Sequence, residues 1–303
     1  MHSASQTTFE FAEKEKKSAA LISVFAALAL TGFKLIVGLM TNSLGILAEA
    51  AHSGLDLVAA LVTFVAVSYS SRPADLEHQY GHGKIENLSA LFETLLLLMT
   101  CVWIIYESVE RLFVKSVEVD ASLLAFLVMA FSIAIDYDRS RKLYRVARKH
   151  NSQALEANAL HFSTDIWSSS VVIVGLVAVK LAQLFPDFRL LGKADALAAF
   201  IVALIVIYVS LQLGKRTVQG LLDHAPKGLR ESTKQAVEKI PGIRECHEIR
   251  VRTSGAGLFV DLHIILDADQ SLKRAHELTK QAEETVKRLA PDADVTIHAD
   301  PAP

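Results

Sequence analysis

Residues 155–183 read LEANALHFSTDIWSSSVVIVGLVAVKLAQ, a largely apolar stretch with His161 and Asp165 inside it. About 18 consecutive residues of this character are enough to cross a bilayer as a helix, so the stretch predicts a transmembrane span. A His and an Asp four positions apart lie on one face of a helix, one turn from each other. An ionised Asp at the centre of such a helix costs about 2.5–3.5 kcal/mol, and it therefore usually faces a partner or a water-filled path.

The same spacing recurs in a second apolar stretch, residues 43–71, which contains His52 and Asp56. Two imidazoles and two carboxylates that converge from two helices would form a tetrahedral four-ligand site, the geometry that Zn²⁺ prefers. The alternative is two unrelated pairs that only help helices to pack. The pattern occurs twice, and each copy places a charged Asp in an apolar helix, which is unfavourable without a function. The sequence therefore favours a metal transport site, formed by His52, Asp56, His161 and Asp165.

Six apolar segments before the polar C-terminal part of the chain are long enough to cross a bilayer. They predict six transmembrane helices at about 17–40, 43–71, 86–113, 120–139, 155–183 and 194–213. The second, third and fifth carry polar residues along one stripe, whereas the other three are more uniformly apolar. The first is too long for the apolar part of a cleaved signal peptide. The predicted domains are a cytoplasmic N-terminal segment (1–16), a six-helix transport domain (17–214) and a cytoplasmic tail (215–303).

The distribution of Lys and Arg predicts that both termini lie in the cytoplasm. Residues 138–149, between the fourth and fifth spans, form the most basic segment, and the basic residues before the first span and after the last fall on the same side. The opposite side holds only Arg111, Lys115, Arg189 and Lys193. The positive-inside rule then assigns the basic side to the cytoplasm.

The tail predicts a small open-faced domain. Residues 228–240 and 271–290 have the periodicity of amphipathic helices, and residues 244–252, 257–266 and 293–298 alternate as strands do. The order α-β-β-α-β is typical of a ferredoxin-like arrangement. The predicted fold class is therefore an α-helical membrane protein with a C-terminal cytoplasmic α+β ferredoxin-like domain.

Composition argues against several other classes of protein. Apolar residues make up 51% of the chain, the formal net charge is −2, and no basic patch is interleaved with aromatic residues, so no nucleic-acid partner is expected. The two cysteines, Cys101 and Cys246, do not suggest a disulfide framework. No nucleophile–base set and no phosphate-binding loop appears, so an enzyme is not expected.

Two further groups of candidate metal ligands lie outside the predicted spans. Asp75, His78 and His82 lie close together in a loop sequence that could wrap one ion, and an ordinary polar loop is the equal alternative. In the tail, strands can bring distant residues into one cluster, whereas separate surface imidazoles would give the same pattern. The residues of this group are His247, His263, His276, His298 and Asp300.

Some polar residues leave alternatives open. Glu93 and Glu107 in the third span, and Asp136 and Asp138 at the end of the fourth, either relay protons, pair with basic neighbours or lie near the interface, and the last two interpretations are favoured. Lys84 and Asp223 could form an ion pair at the edge of the membrane domain. Cys246, beside a histidine, is either a thiolate ligand or a small buried residue, and the second interpretation is favoured.

These residues resemble those of the cation diffusion facilitator family, and closely those of its bacterial, YiiP-like zinc/proton antiporter branch, from about residue 15 to Pro301. The resemblance implies a transport site between the second and fifth spans and a loop site with the ligands Asp75, His78 and His82. It also implies that Lys84 and Asp223 form a salt bridge that interlocks a homodimer. In the tail it implies a binuclear site at the dimer interface, made of His247, His263, His276, His298 and Asp300.

The chain departs from that branch at one ligand, because the YiiP-like pattern carries Asp where His52 stands. A second imidazole makes the site softer and less anionic, which favours Zn²⁺ over Mn²⁺ and disfavours Cd²⁺. A His/Asp pair in both spans resembles the eukaryotic zinc transporters of the family. Their His-rich loop between the fourth and fifth spans is replaced here by the basic segment.

These features predict a homodimer in the bacterial inner membrane that exports Zn²⁺ from the cytoplasm in exchange for protons, by alternating access. Zn²⁺ bound to the tail would regulate transport. One rival is a membrane-bound metal sensor, which would need no ligands at membrane depth. Another is a transporter of Fe²⁺ or Co²⁺, whose octahedral preference fits a cage of two His and two Asp less well.

Overall fold

The structure, a computed structural model, describes residues 2–41, 44–113, 123–184, 194–291 and 293–303. The first part of the chain forms long helices, and these are α1 (His2–Thr41), α2 (Leu44–Ser70), α3 (Lys84–Phe113), α4 (Leu123–His150), α5 (Gln153–Leu184) and α6 (Ala194–Leu221). The tail follows with shorter elements, α7 (Leu229–Val237), β1 (Ile243–Ser254), β2 (Gly257–Leu266), α8 (Leu272–Leu289) and β3 (Ala293–Pro301).

The chain divides into two compact units. A helical unit comprises Met1–Ser71 and Ile85–Thr217, and a tail unit comprises Arg72–Lys84 and Val218–Pro303. The predicted division after residue 214 lies close to the observed one. The segment 72–84, which the prediction left in the transport domain, packs instead with the tail.

Four helices are long and apolar enough to cross a membrane within the described residues: Glu10–Thr41, Glu49–Ser70, Lys84–Glu110 and Ala199–Leu221. Large apolar side chains of these helices, such as Leu39, Leu55 and Met99, are exposed in the single chain, as expected for surfaces that contact lipid. This confirms a helical membrane domain. The count of six spans stays a prediction, because the described residues of α4 and α5 do not meet the same criterion.

Three helices extend well beyond their predicted bounds, and one of them is α6, which was predicted to end at residue 213 and continues to Leu221. The predicted polar segment 1–16 continues α1 without a break from His2, and α4 carries the basic segment 138–149 as helix up to His150. Residues 120–122 of the predicted fourth span lie outside the described residues. So do Lys115, Arg189 and Lys193, three of the four basic residues expected on the less basic side.

The core of the helical unit is built largely from alanines. Ala20, Ala27, Ala60 and Ala159 are buried there together with Phe162 of α5. Small side chains let helix backbones approach closely, which is the usual way in which helices associate in a membrane. The bundle of α1, α2, α4 and α5 therefore holds the two helices that carry the His/Asp pairs.

Several buried charges of this unit are paired. Lys16 contacts Glu13 and Glu86 through its Nζ at 2.5 and 2.8 Å, and Arg139 Nη1 lies 3.0 Å from Asp136 Oδ1. Pairing offsets part of the cost of removing these groups from water. Asp136 and Arg139 lie inside the predicted fourth span, which is therefore less uniformly apolar than predicted. Glu13 and Lys16 precede the predicted first span.

The tail forms a three-stranded sheet in the order β1-β2-β3, with β1 antiparallel and β3 parallel to the central β2. One face packs against the helices, where Val260, Leu262 and Ile264 of β2 meet Leu278 and Val286 of α8. The alternating burial of β2 follows from the two-residue period of a strand. The other face of the sheet is not covered by these helices, as the prediction of an open-faced α+β domain requires.

The segment 72–84 rests on the turn between β1 and β2. The Arg252 guanidinium lies 3.5 Å from the centre of the Tyr80 ring, which meets the Phe259 ring edge to face. The backbones of Gly83 and Gly255 approach so closely that a Cβ on Gly83 would lie 2.2 Å from the carbonyl oxygen of Ser254. Only glycine fits at this contact, which fixes the position of the loop within the tail unit.

Candidate metal sites

The two His/Asp pairs of α2 and α5 meet in one cluster, called the quartet below (His52, Asp56, His161, Asp165). His161 Nε2 lies 3.1 Å from Asp56 Oδ1 and 3.7 Å from Asp165 Oδ2. His52 Nε2 lies 3.6 Å from Asp165 Oδ1 and 3.9 Å from Asp56 Oδ1. Each imidazole therefore faces both carboxylates, one from its own helix and one from the other.

The quartet is buried on one side and open on the other. The side chains of Asp56 and His161 are 11% and 9% exposed, whereas that of His52 is 43% exposed. Ligand atoms of His52, Asp56 and Asp165 lie within 4.8 Å of one another, so they can reach one ion. Two neutral imidazoles and two carboxylates form a donor set that suits Zn²⁺ in a tetrahedral arrangement.

A second set of polar groups supports the helix that carries His52. Lys34 Nζ of α1 lies 3.1 Å from Glu49 Oε2 and donates to Ser53 Oγ at 2.9 Å. Thr31 Oγ1 donates to the Ser53 carbonyl oxygen at 2.9 Å. The sequence analysis missed these residues, although a lysine inside an apolar span was a signal that could have identified Lys34.

Glu93 of α3 is fully buried, and its partners differ from the predicted ones. Thr63 Oγ1 of α2 and Asn158 Nδ2 of α5 donate to Glu93 Oε1, the second at 3.1 Å. Neither partner is basic, so the interpretation that Glu93 pairs with a basic neighbour is wrong within the described residues. The three side chains link α3 to both ligand-bearing helices.

Asp75, His78 and His82, called the loop cluster below, meet in the segment after α2. Asp75 Oδ1 lies 3.4 Å from His78 Nδ1, and Asp75 Oδ2 lies 3.3 Å from His82 Nε2. The backbone N–H groups of His78 and then Glu77 donate to Asp75 and hold the pKa of its carboxyl below the usual value. The carboxylate is therefore ionised at neutral pH and available as a ligand.

The turn that forms the loop cluster depends on Gly81. Its φ of 72° is left-handed, and its N–H donates to the His78 carbonyl oxygen at 2.9 Å. His82 is buried, whereas Asp75 and His78 are about half exposed. A metal ion at this site would exchange with water more readily than one at the quartet.

Three tail histidines lie in a row across the open face of the sheet, called the histidine row below. His263 of β2 pairs in register with His247 of β1 and with His298 of β3. The ring centres are 5.5 and 4.8 Å apart along the row. Asp300 closes the group, with oxygens 3.0 Å from His263 Nδ1 and 3.1 Å from His298 Nε2.

Two residues distinguish this cluster from the predicted one. His276 is exposed on α8 and does not belong to the row within one chain. Glu248, which was not predicted, brings its Oε2 to 3.8 Å from His263 Nε2. It does so from a left-handed backbone with φ 48° beside an irregularity of β1, a feature that no spacing rule reveals.

The remaining predicted pair also meets in the tail unit. Lys84 Nζ lies 2.9 Å from Asp223 Oδ1 and donates to the Leu221 carbonyl oxygen at 3.3 Å. Both side chains are partly exposed. The contact forms within one chain.

Cys246 does not join the neighbouring histidines. Its side chain is fully buried in the core on the helix side of the sheet. Burial raises the pKa of the Cys246 thiol to about 11, so it is protonated at neutral pH. The interpretation as a small buried residue fits this environment.

Comparison with known proteins assigns both halves of the chain. A family model described as the cation efflux transmembrane domain matches residues 20–222, and one described as the cytoplasmic domain of cation efflux proteins matches residues 225–302. Together these two models cover the helices and the tail sheet described above.

Similar proteins match over nearly the full length. The cation-efflux pump FieF of Serratia proteamaculans is 33% identical over 290 residues, which cover 94% of this chain and 92% of that protein. FieF of Shewanella oneidensis is 32% identical over 289 residues, or 94% of each chain. Among solved structures, the C-terminal domain of MamM in a nickel form is 19% identical, covers 26% of this chain and all of its own, and has a TM-score of 0.25.

Proposed function

The chain belongs to the cation efflux family, and we propose on that basis that it exports Zn²⁺ from the cytoplasm in exchange for protons. The observation that carries the proposal is the quartet, in which each imidazole faces both carboxylates within the helical unit. Divalent cation efflux follows from the family. The choice of Zn²⁺, the proton exchange and alternating access are the proposed refinement.

The donor set explains how protons and metal would share the quartet. With both aspartates ionised and both histidines neutral, the empty quartet carries two negative charges, which Zn²⁺ neutralises. Protons compete for the same atoms, because metal ligands must be deprotonated to bind. An ordinary imidazole has a pKa of about 6.5, so a moderately acidic side would favour protonation of His52 and His161 and the release of Zn²⁺.

The setting proposed for this chemistry is the inner membrane of a bacterium. All six helices, α1 to α6, would cross the bilayer, and the basic end of α4 would place both termini in the cytoplasm. The tail would join two chains in a homodimer, in which His276 would complete the histidine row. Zn²⁺ held there and at the loop cluster would adjust transport to the cytoplasmic zinc level.

Two alternatives lead to different measurements. A membrane-bound sensor would bind metal at the tail without moving it, and the quartet argues against it because a sensor needs no ligands at membrane depth. A transporter of Fe²⁺ or Co²⁺ would show flux with those ions in preference to Zn²⁺.

The test is zinc uptake into proteoliposomes under an imposed pH gradient, with Asp165→Asn as the variant and Asp300→Asn as its matched control. We expect Asp165→Asn to lower the flux by about 100-fold or more, because even groups that only orient a metal ligand account for 10–100-fold. Asp300→Asn should retain gradient-driven flux. If the native protein binds zinc but shows no flux in either gradient direction, the transport proposal fails and the sensor takes its place.

A further inference from the structure

A buried carboxyl group lies next to the quartet without belonging to it. Glu93 of α3 has no exposed surface, and neither do its partners Thr63 of α2 and Asn158 of α5. Both partners donate to the same oxygen, Oε1. Glu93 Oε2 and Asn158 Oδ1 are buried and have no hydrogen-bond donor among the described residues.

Glu93 has no ion-pair partner among the described residues, although the charge of a protonated His161 would act on it from α5. Two basic groups that reach α3 and α5 from other helices are already engaged, Lys16 of α1 with Glu13 and Glu86, and Arg216 of α6 with Glu156. Among the side chains of α2 and α5 that the structure describes, the other titratable groups are those of the quartet, Tyr69 and the partly buried Glu49, which Lys34 contacts.

These contacts favour a neutral carboxylic acid. A buried carboxylate without a cation carries a desolvation cost that protonation removes. A proton on Oε2 also supplies a donor in a pocket that otherwise holds two unsatisfied acceptors. The missing ion pair and the two unsatisfied acceptors therefore both favour the protonated, neutral form of Glu93.

The position of this acid relates it to transport. Thr63 follows Asp56 by two helical turns on α2, and Asn158 precedes His161 by one turn on α5. Glu93 thus fastens α3 to both helices that carry metal ligands, on the side of the quartet where α2 ends and α5 begins. Any movement of α2 or α5 against α3 must break its hydrogen bonds.

We propose that Glu93 is a proton-carrying positioning residue, which holds α2, α3 and α5 together as a neutral acid and releases its proton to water when they separate. The O–H bond breaks as the proton leaves and forms again when the helices close. This proton adds to those exchanged at the quartet. The inference rests on the proposed zinc/proton exchange and deepens it.

The first measurement is infrared difference spectroscopy of the native protein, which detects the carbonyl stretch of a protonated carboxylic acid. We expect such a band at neutral pH that Glu93→Gln removes and that Glu107→Gln, the same change elsewhere on α3, leaves in place. Absence of the band from the native protein would mean that Glu93 is ionised and would overturn the proposal. This result does not depend on whether zinc is transported.

The second measurement counts protons released per zinc bound and the pH dependence of flux in proteoliposomes. Glu93→Gln keeps a neutral group of the same shape, so it should bind zinc normally at alkaline pH, release fewer protons per zinc and lose part of the pH dependence. Glu93→Asp keeps an ionisable group and should therefore restore part of the pH dependence of flux. An unchanged proton count and pH profile in Glu93→Gln would show a purely structural hydrogen bond and refute the proposal. Loss of flux in the native protein would instead refute the proposed function.

Discussion

The quartet and the histidine row use similar ligands but assemble them differently. His161 and Asp165 share a helix face because they are four positions apart, and α2 repeats the arrangement. His247, His263 and His298 come from three strands and meet only through the register of the sheet. The aspartates of the quartet are nearly buried, whereas Asp300 is one-third exposed. The carboxylates of the quartet are therefore more shielded from water than the carboxylate of the histidine row.

The largest expected effect is a difference in the free energy of unfolding between two Arg–Asp ion pairs, one in each unit. Arg139, 3% exposed, pairs with Asp136 in the helical unit, whereas Arg244, 61% exposed, pairs with Asp267 in the tail. Arg139→Ala leaves a buried acid without its partner and should lower the free energy of unfolding by about 3–5 kcal/mol. Arg244→Ala should lower the free energy of unfolding by only about 0–1 kcal/mol, because its ion pair is exposed to water. Unfolding in detergent measures both, and equal losses would remove the contrast between the units.

A glycine substitution tests whether the loop cluster depends on the tail. Gly83→Ala places a Cβ against the Ser254 carbonyl oxygen and should destabilise the packing of residues 72–84 by about 1–3 kcal/mol. Amide hydrogen exchange in residues 72–84 should become faster, whereas exchange in the part of α2 near the quartet should stay unchanged. Gly32→Ala, where a Cβ has free space within α1, is the control and should be neutral or stabilising. Faster exchange in both variants would contradict the assigned contact.

A ligand change separates selectivity at the two sites. His52→Asp makes the quartet more anionic and should shift the ratio of cadmium to zinc flux toward cadmium by about 10-fold, the lower end of the effects that alter metal sites. His298→Asp changes a ligand of the histidine row in the same way and should leave the flux ratio as it is. Competition between the two ions in proteoliposomes measures the ratio. The same shift in both variants would place selectivity outside the quartet.

The smallest effect concerns the core beneath the histidine row. Burial raises the pKa of the Cys246 thiol from 9.0 to about 11, so the folded chain holds this proton more tightly than the unfolded chain. The resulting stability is complete below about pH 9 and is lost as the pH rises toward 11. Alkylation followed by mass spectrometry should find Cys246 unreactive at neutral pH until the tail unfolds. Rapid labelling of the native protein would show that Cys246 faces solvent.

Helix periodicity made the quartet predictable, because spacing along a helix determines which side chains share a face. The order of helices and strands in the tail was predictable in a similar way, because buried and exposed residues alternate with a period of two along a strand. Four membrane helices were confirmed within the described residues, and the family was confirmed by the comparison with known proteins. That the quartet, loop cluster and histidine row bind metal stays a prediction.

The sequence could not reveal features that depend on contacts between distant segments. Glu248 approaches His263 only because β1 is irregular there, and His276 lies away from the row in a single chain. The partners of Glu93 come from two other helices, so its environment follows from helix packing and not from its own span. The association of residues 72–84 with the tail likewise depends on two glycines that meet across the unit.

The division of the chain into two units has a mechanical consequence. The backbone passes between the units three times, after Ser71, after Lys84 and after Thr217. The tail unit is thus fastened covalently to the end of α2, the beginning of α3 and the end of α6, and not hung from a single linker. The chain that leaves the helix bearing His52 and Asp56 therefore enters the tail unit directly after Ser71.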